Sequence, residues 1–122
     1  LRRHVEAARH DRVGVTPEFI QGELARASHY TVVLLKAGPN LEHPERDAIT
    51  GAHVVRNFQL KLDGDVAVVG PMRSNGDVRG LYIFNRSPEE AIELIEADPA
   101  VEAGIFIYEV HQMMAFPGDT LA

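Results

Sequence analysis

His53 is the side chain of this 122-residue sequence that is best suited to chemistry. An imidazole can accept or donate a proton near neutral pH, which few other side chains can do. At about 100° per residue, His53 falls on one helical line with Ile49, Asn57 and Leu60. The amide of Asn57 then lies beside the ring and offers it a hydrogen bond. A histidine between apolar residues is also commonly structural, so both interpretations stay open.

Three further positions could belong to the site. Arg79 lies near a predicted hairpin, where an arginine can clamp a carboxylate, although solvated surface charge is the alternative. Gly70 precedes Pro71 and ends a strand, and a residue without a side chain also lets a ligand approach the backbone. Asp98 precedes Pro99, the pattern of a helix N-cap. We therefore expect Gly70 and Arg79, together with Asn57, to be ligand-binding candidates.

Composition excludes several kinds of function. The sequence has no cysteine, which removes disulfides, thiolate nucleophiles and cysteine-based metal sites. Its formal net charge of −6 gives no broad cationic field for nucleic acid or anionic lipid. No apolar run approaches the roughly 20 residues that span a bilayer. We therefore predict no nucleic-acid or membrane partner, and we expect a cytoplasmic protein.

Cofactor and metal motifs are also missing from the sequence. It contains no phosphate-binding loop and no glycine-rich dinucleotide fingerprint, so no cofactor is predicted. His4 and His10 are six residues apart, a spacing that does not place them on one helical face as a metal pair would require. The remaining histidines form no spaced cluster. No metal site is predicted.

The candidate residues are carried by a recognisable order of strands and helices. Apolar, β-branched segments predict four strands, and an Asn-Gly turn predicts that the second and third form a hairpin. A long helix follows the first strand, and a Ser-Pro-Glu-Glu capping box opens another after the third. The predicted strands are residues 30–36, 65–70, 78–84 and 105–111, and the long helix is residues 48–62.

The order strand, helix, strand, strand, helix, strand predicts an α+β, ferredoxin-like βαββαβ domain over residues 30–111. Its four-stranded antiparallel sheet would carry both helices on one face. The strands are apolar on both sides, however, and a second copy of the sheet is the plainest cover for the free face. We therefore predict a homodimer, with higher assemblies left open.

Residues 1–29 are predicted to form a helical arm and residues 112–122 a tail. The arm has the N-cap signal Thr16-Pro17-Glu18, followed by a short apolar stripe. The long helix has a second apolar stripe besides the one that contains His53, formed by Val54, Val55, Phe58 and Leu62. Because a helix on a sheet needs only one such stripe, we expect the arm or a partner subunit to cover the other.

Two stretches resemble the YciI-like (YCII-related) family. Residues 53–71, HVVRNFQLKLDGDVAVVGP, are similar to the family's histidine helix, glycine turn and strand end, and residues 87–110 are similar to its acidic-helix and Asp-Pro segment. The resemblance implies a dimeric α/β barrel of ferredoxin-like subunits, in agreement with the prediction above. It leaves the arm and the tail unexplained.

The resemblance also implies that His53 and Asp98 form an active-site pair. A carboxylate bonded to one ring nitrogen fixes the tautomer of the imidazole and raises its basicity. Capping of a short helix is the alternative role for Asp98, and one carboxylate can do both. The sequence departs from the family at Asn57, where an apolar residue is usual.

Two classes of function follow from these observations. In the first, the protein is an enzyme in which His53, oriented by Asp98, is the general acid or base for lyase, isomerase or dehalogenase chemistry on a small organic molecule. In the second, it is a dimer that binds a small molecule or serves as an accessory module without catalysis. The fold by itself does not choose between them.

Overall fold

The computed structural model describes residues 14–122 and contains four helices and four strands in that range. Elements are numbered in chain order. They are α1 (Pro17–Ala25), β1 (Ser28–Ala37), α2 (Arg46–Leu62), β2 (Val66–Pro71), β3 (Val78–Phe84), α3 (Pro88–Glu96), α4 (Pro99–Glu102) and β4 (Phe106–Ala115).

The chain divides into two compact units. One runs from His29 to Met114, and the other includes residues 14–28 and 115–122. In the second unit, α1 begins at the predicted cap Thr16, whose hydroxyl accepts a hydrogen bond from the backbone of Phe19 at 3.1 Å. The prediction for His4 and His10 lies outside the described residues.

The sheet of the larger unit has the strand order β2-β3-β1-β4. β3 pairs antiparallel with β1 on one side and with β2 on the other, and Val33 of β1 lies opposite Tyr82 of β3. The connection between β2 and β3 spans the predicted Asn75-Gly76 turn. This four-stranded antiparallel sheet with helices confirms the predicted α+β, ferredoxin-like fold.

The hydrophobic core lies between one face of the sheet and the helices. Alternate residues of β1 and β3 are buried, as the pleat of a strand requires. Helix α2 contributes Leu60 and helix α3 contributes Ala91 and Ile95. The fully buried apolar residues of the sheet and its loops are Val33, Phe84 and Ile105.

The two predicted stripes of α2 differ in burial. His53 and Leu60, on the first stripe, are its buried residues. Val54, Val55, Phe58 and Leu62, on the second stripe, are 45–82% exposed. Cover of this second stripe by the arm or by a partner subunit stays a prediction.

Three boundaries differ by two residues or more from the sequence-based ones. β4 continues to Ala115, four residues into the predicted tail, and α2 begins at Arg46 rather than near Ala48. β1 begins at Ser28, two residues into the predicted arm. β4 and its sheet neighbour β1 are each ten residues long. Strand length depends on the neighbouring strand as well as on local composition, so a prediction from local composition alone ended β4 too early.

Within residues 14–122, no helix is long and apolar enough to cross a membrane.

A close backbone contact fixes the end of β1 against the loop between α4 and β4. The amide of Gly38 donates to the carbonyl of Ile105 at 2.8 Å, and the amide of Asn40 donates to Gly104 at 2.9 Å. A Cβ atom on Gly38 would lie 2.3 Å from the carbonyl oxygen of Gly104. Only glycine fits this approach, which holds the short helix α4 in place.

Replacing Gly38 with alanine therefore forces the two backbones apart. We expect Gly38→Ala to lower the free energy of unfolding by about 1–3 kcal/mol, the usual cost of overpacking, measured by urea denaturation. Gly51→Ala is the matched control, because a Cβ there meets no atom within 4 Å and the residue lies inside α2. Alanine at that position should raise the free energy of unfolding by roughly 0.5–1 kcal/mol. Equal effects of the two variants would contradict this account.

Candidate functional site

The candidate site lies where α2, α4 and two strands meet. His53 is near the middle of α2, Asp98 is the N-cap of α4, and α2 packs against α4. β3 brings Tyr82 to the same place, and β4 brings Phe106, whose ring centroid is 5.4 Å from that of His53. The sequence separates these residues by up to 53 positions, so only the tertiary fold assembles them.

His53 and Asp98 are in direct contact. The Nδ1 atom of His53 lies 2.8 Å from one carboxylate oxygen of Asp98 and 2.9 Å from the other. His53 is 7% exposed and Asp98 is fully buried. The resemblance implied this pair, and the folded chain brings the two side chains together.

Asp98 also caps α4. Its Oδ2 atom accepts hydrogen bonds from the backbone amides of Ala100 at 2.9 Å and Val101 at 3.3 Å. A nitrogen of Arg56 lies 3.9 Å from Oδ1. Capping and contact with the imidazole are thus properties of the same carboxylate.

Asn57 and Tyr82 continue the hydrogen bonds on the other side of the ring. The Nδ2 atom of Asn57 lies 3.2 Å from Nε2 of His53, and the hydroxyl of Tyr82 donates to Oδ1 of Asn57 at 2.6 Å. Burial raises the pKa of the Tyr82 phenol, and the negative charge of Asp98 raises that pKa further. The hydroxyl therefore keeps its proton and acts as a donor.

These contacts determine which ring nitrogen carries the proton. Tyr82 donates to the oxygen of the Asn57 amide, so the NH₂ group of the amide is directed at Nε2 of His53. That nitrogen must accept, which leaves the proton on Nδ1, where the carboxylate of Asp98 receives it. In this arrangement Nε2 is the ring nitrogen of His53 that has the free lone pair.

A cavity of about 390 Å³ opens beside the ring. His53, Asn57 and Tyr82 line it, and most of its remaining wall is apolar. This volume and this lining are typical of sites for small molecules. The other lining residues are Leu35, Thr50, Val54, Phe58, Val69, Gly70, Pro71, Arg79, Gly80, Leu81 and Phe106.

The remaining predicted ligand-binding residues lie on the same cavity. Gly70 is at the end of β2, and Arg79 is near the start of β3, where its side chain is exposed. Among residues 14–122, Arg79 forms no ion pair. All five candidates, His53, Asp98, Asn57, Gly70 and Arg79, therefore either line this cavity or contact a residue that does.

Several residues of the site were not predicted. Tyr82 follows the ordinary alternation of a strand, so nothing in the sequence distinguished its hydroxyl from a core aromatic. Thr50 precedes His53 by one helical turn, and this spacing could have identified it. Its hydroxyl is buried without a hydrogen-bond partner in the described part of the chain.

A second cavity, of about 410 Å³, lies elsewhere on the larger unit. Its lining includes His29, Arg86 and Glu90, and none of the five candidate residues. Arg86 binds Asp65 at 2.7 Å, and Glu90 belongs to the capping box of α3. Arg86 and Glu90 of this second cavity thus already have partners within the protein.

Residues 14–122 contain no group of three or more histidine, aspartate and glutamate side chains that could hold a metal ion.

The comparisons with known proteins agree with the fold. The chain is similar to a solved structure of 5-chloro-2-hydroxyhydroquinone dehydrochlorinase (TftG) from Burkholderia phenoliruptrix AC1100, in complex with 2,5-dihydroxybenzoquinone. The two are 25% identical with a TM-score of 0.51, and the match covers 67% of this chain and 90% of that chain. No protein of curated function matches the sequence.

The family comparison covers the whole larger unit except its first residue. The sequence model of the YCII-related domain matches residues 30–114, which is well over half of the chain and includes both His53 and Asp98. The resemblance of the two sequence motifs is thereby confirmed, and the chain belongs to the YCII-related domain family.

Proposed function

We propose that this protein is an enzyme in which His53, oriented by Asp98, is the general acid or base for a reaction on a small organic molecule. The observation that carries the proposal is the position of His53, which lies between a buried carboxylate and a cavity of about 390 Å³. A base in such a place can remove a proton from a bound substrate and return it later.

The reaction class that we propose is elimination, isomerisation or dehalogenation. In a dehalogenation by elimination, Nε2 of His53 takes a proton from the substrate while the halide leaves with its bonding electron pair. The dehydrochlorinase TftG supports this class, since it is a structural neighbour at 25% identity. Its ligand, 2,5-dihydroxybenzoquinone, is a small ring that carries oxygen atoms. A hydroxylated ring of this size is the kind of substrate that we propose.

The other cavity residues have supporting roles in this proposal. Arg79 is a cation at the cavity and would bind an anionic group of the substrate. Gly70 adds no side chain to the wall, so a ring can approach the backbone of β2 there. The apolar residues exclude water from the rest of the substrate, which strengthens the electrostatic contacts near His53.

One observation favours the alternative function, a small-molecule-binding module without catalysis. Nε2 of His53, the nitrogen that a base would use, already has the amide of Asn57 at 3.2 Å. In a binding module, His53 and Asn57 would form the polar end of an apolar pocket and transfer no proton. Turnover, rather than binding, therefore separates the two functions.

A screen for turnover tests the enzyme. Chlorinated hydroquinones, phenols and small lactones are incubated with the protein, and halide release and absorbance are followed. We expect His53→Gln to lower kcat by about 10²–10⁴-fold on any compound that the wild type converts, because the general base is lost. Asp98→Asn should also lower kcat, since its amide keeps a cap oxygen but no longer supports an imidazolium.

His29→Gln is the matched control, because His29 is exposed and does not line this cavity. Circular dichroism verifies that each variant is folded. If His53→Gln turned over a substrate as fast as the wild type, His53 would not be the base. If the wild type bound these compounds and converted none, the binding module would be the better assignment.

We also propose that the protein is a homodimer that pairs through the free face of the sheet. Several residues of β1 and β3 that alternate with the buried ones are half-buried and apolar, and we assign them to this face. They are Val32, Leu34 and Ile83, and Ile107 of β4 is 49% exposed. A second sheet packed on this face would remove them from water.

A charge on this face tests the dimer. Ile83→Glu places a carboxylate opposite Val32 in the middle of the sheet, so we expect its mass in light scattering to fall from that of two copies to that of one. Val55→Glu is the matched control, since Val55 is 71% exposed on α2 and lies away from the sheet face. Loss of the dimer in Val55→Glu alone would place the interface on the helix instead.

A further inference from the structure

The side-chain amide of Asn57 has two N–H donors beside Nε2 of His53, and one of them is unused among the residues that the structure describes. One N–H of Nδ2 is directed at Nε2 at 3.2 Å, and within residues 14–122 the second N–H has no partner. Two atoms 3.2 Å apart can both form hydrogen bonds of ordinary length to a single oxygen that is about equally far from each. Both side chains line the cavity, so a ligand can bring an oxygen to this point.

We propose that Nε2 of His53 and Nδ2 of Asn57 together form a binding site for a weakly acidic hydroxyl group, such as that of a phenol or an enol. This inference rests on the proposed function, in which His53 is a base, and it specifies what the base acts on. The ligand hydroxyl replaces the amide as the donor to Nε2, and the displaced N–H of Asn57 donates to the ligand oxygen.

The ligand hydroxyl then transfers its proton to His53, and the step balances in atoms and electrons. The O–H bond of the ligand breaks, an N–H bond forms at Nε2 of His53, and the electron pair stays on the oxygen. The resulting oxyanion accepts one hydrogen bond from the imidazolium and another from Asn57. The carboxylate of Asp98 stabilises the imidazolium from the other side of the ring at 2.8 Å. No oxidant, metal or second reactant enters this step.

Tyr82 is the positioning residue of this site. An amide can present either its oxygen or its NH₂ group to a neighbour, and only the NH₂ group stabilises an oxyanion. The hydroxyl of Tyr82 donates to Oδ1 of Asn57 at 2.6 Å and thereby keeps the NH₂ group directed at the ligand position. Tyr82 is 1% exposed and its ring packs on Phe84 at 5.3 Å, so its hydroxyl has a fixed place.

Two coloured probes test the site in the wild-type protein. 4-Nitrophenol has an acidic hydroxyl and absorbs differently as the phenolate, and 4-nitroanisole is its methyl ether and has no proton to give. We expect 4-nitrophenol to bind roughly 10- to 100-fold more tightly than 4-nitroanisole, the range for charge-assisted hydrogen bonds. We also expect its phenolate band to increase on binding at a pH where the free probe is mostly protonated.

Three variants assign this effect to residues. Asn57→Leu, which restores an apolar residue, should weaken 4-nitrophenol binding by about tenfold or more and reduce the phenolate band, with 4-nitroanisole binding nearly unchanged. Tyr82→Phe should weaken binding of the phenol by about two- to tenfold with a smaller phenolate band. Tyr108→Phe is the matched control, because the Tyr108 hydroxyl donates to Glu96 at 2.7 Å, outside this cavity, and it should change neither value.

Several outcomes would overturn the inference. They are equal affinity of the wild type for the two probes, binding of 4-nitrophenol without a phenolate band, and an Asn57→Leu variant that keeps both affinity and band. The comparison of the two probes uses only the wild type, so it stands if a variant does not fold. A wild type that ionises the probe but converts no substrate supports the hydroxyl site and contradicts the enzyme, which keeps the two proposals separable.

Discussion

The buried carboxylate of Asp98 is the constraint on which the rest of the site depends. An ionised group removed from water costs several kcal/mol unless hydrogen bonds and opposite charge compensate it. Here the compensation comes from Nδ1 of His53, two backbone amides of α4 and the nearby guanidinium of Arg56. The imidazole and the guanidinium come from α2 and the two amides from α4, so α2 and α4 must lie side by side. The contact between Gly38 and Gly104, which fixes the loop after α4, serves the same purpose.

The carboxylate also sets the donor and acceptor order of the hydrogen bonds that follow it along the cavity wall. A carboxylate only accepts hydrogen bonds, so it assigns the proton of His53 to Nδ1 and leaves Nε2 as the acceptor. Asn57 then turns its NH₂ group to Nε2, and Tyr82 donates to the amide oxygen. Four side chains, from α2, its neighbour at the start of α4 and β3, thus form one chain in which each hydrogen bond has a defined donor and acceptor. Such a preordered arrangement reduces the reorganisation that a reaction requires.

Local signals in the sequence were sufficient for most elements of the fold. The capping box at Ser87 and the Asn75-Gly76 turn are short-range features, and the folded chain has a helix and a hairpin at these places. The length of β4 was underestimated because it depends on a strand that is distant in the sequence. The contact of His53 with Asp98 was expected from the family resemblance rather than from spacing. The role of Tyr82 could not be predicted, since the partner of its hydroxyl depends on how α2 lies over β3.

The central claim is that His53 carries its proton on Nδ1 and directs an unprotonated Nε2 toward the cavity. A long-range ¹H–¹⁵N NMR spectrum of the ¹⁵N-labelled protein at neutral pH tests it directly, because protonated and unprotonated ring nitrogens have well-separated shifts. The arrangement of Asp98, Asn57 and Tyr82 predicts a protonated Nδ1 and an unprotonated Nε2 for His53. A proton on Nε2 with an unprotonated Nδ1 would contradict the account, since Asp98 would then have no imidazole donor.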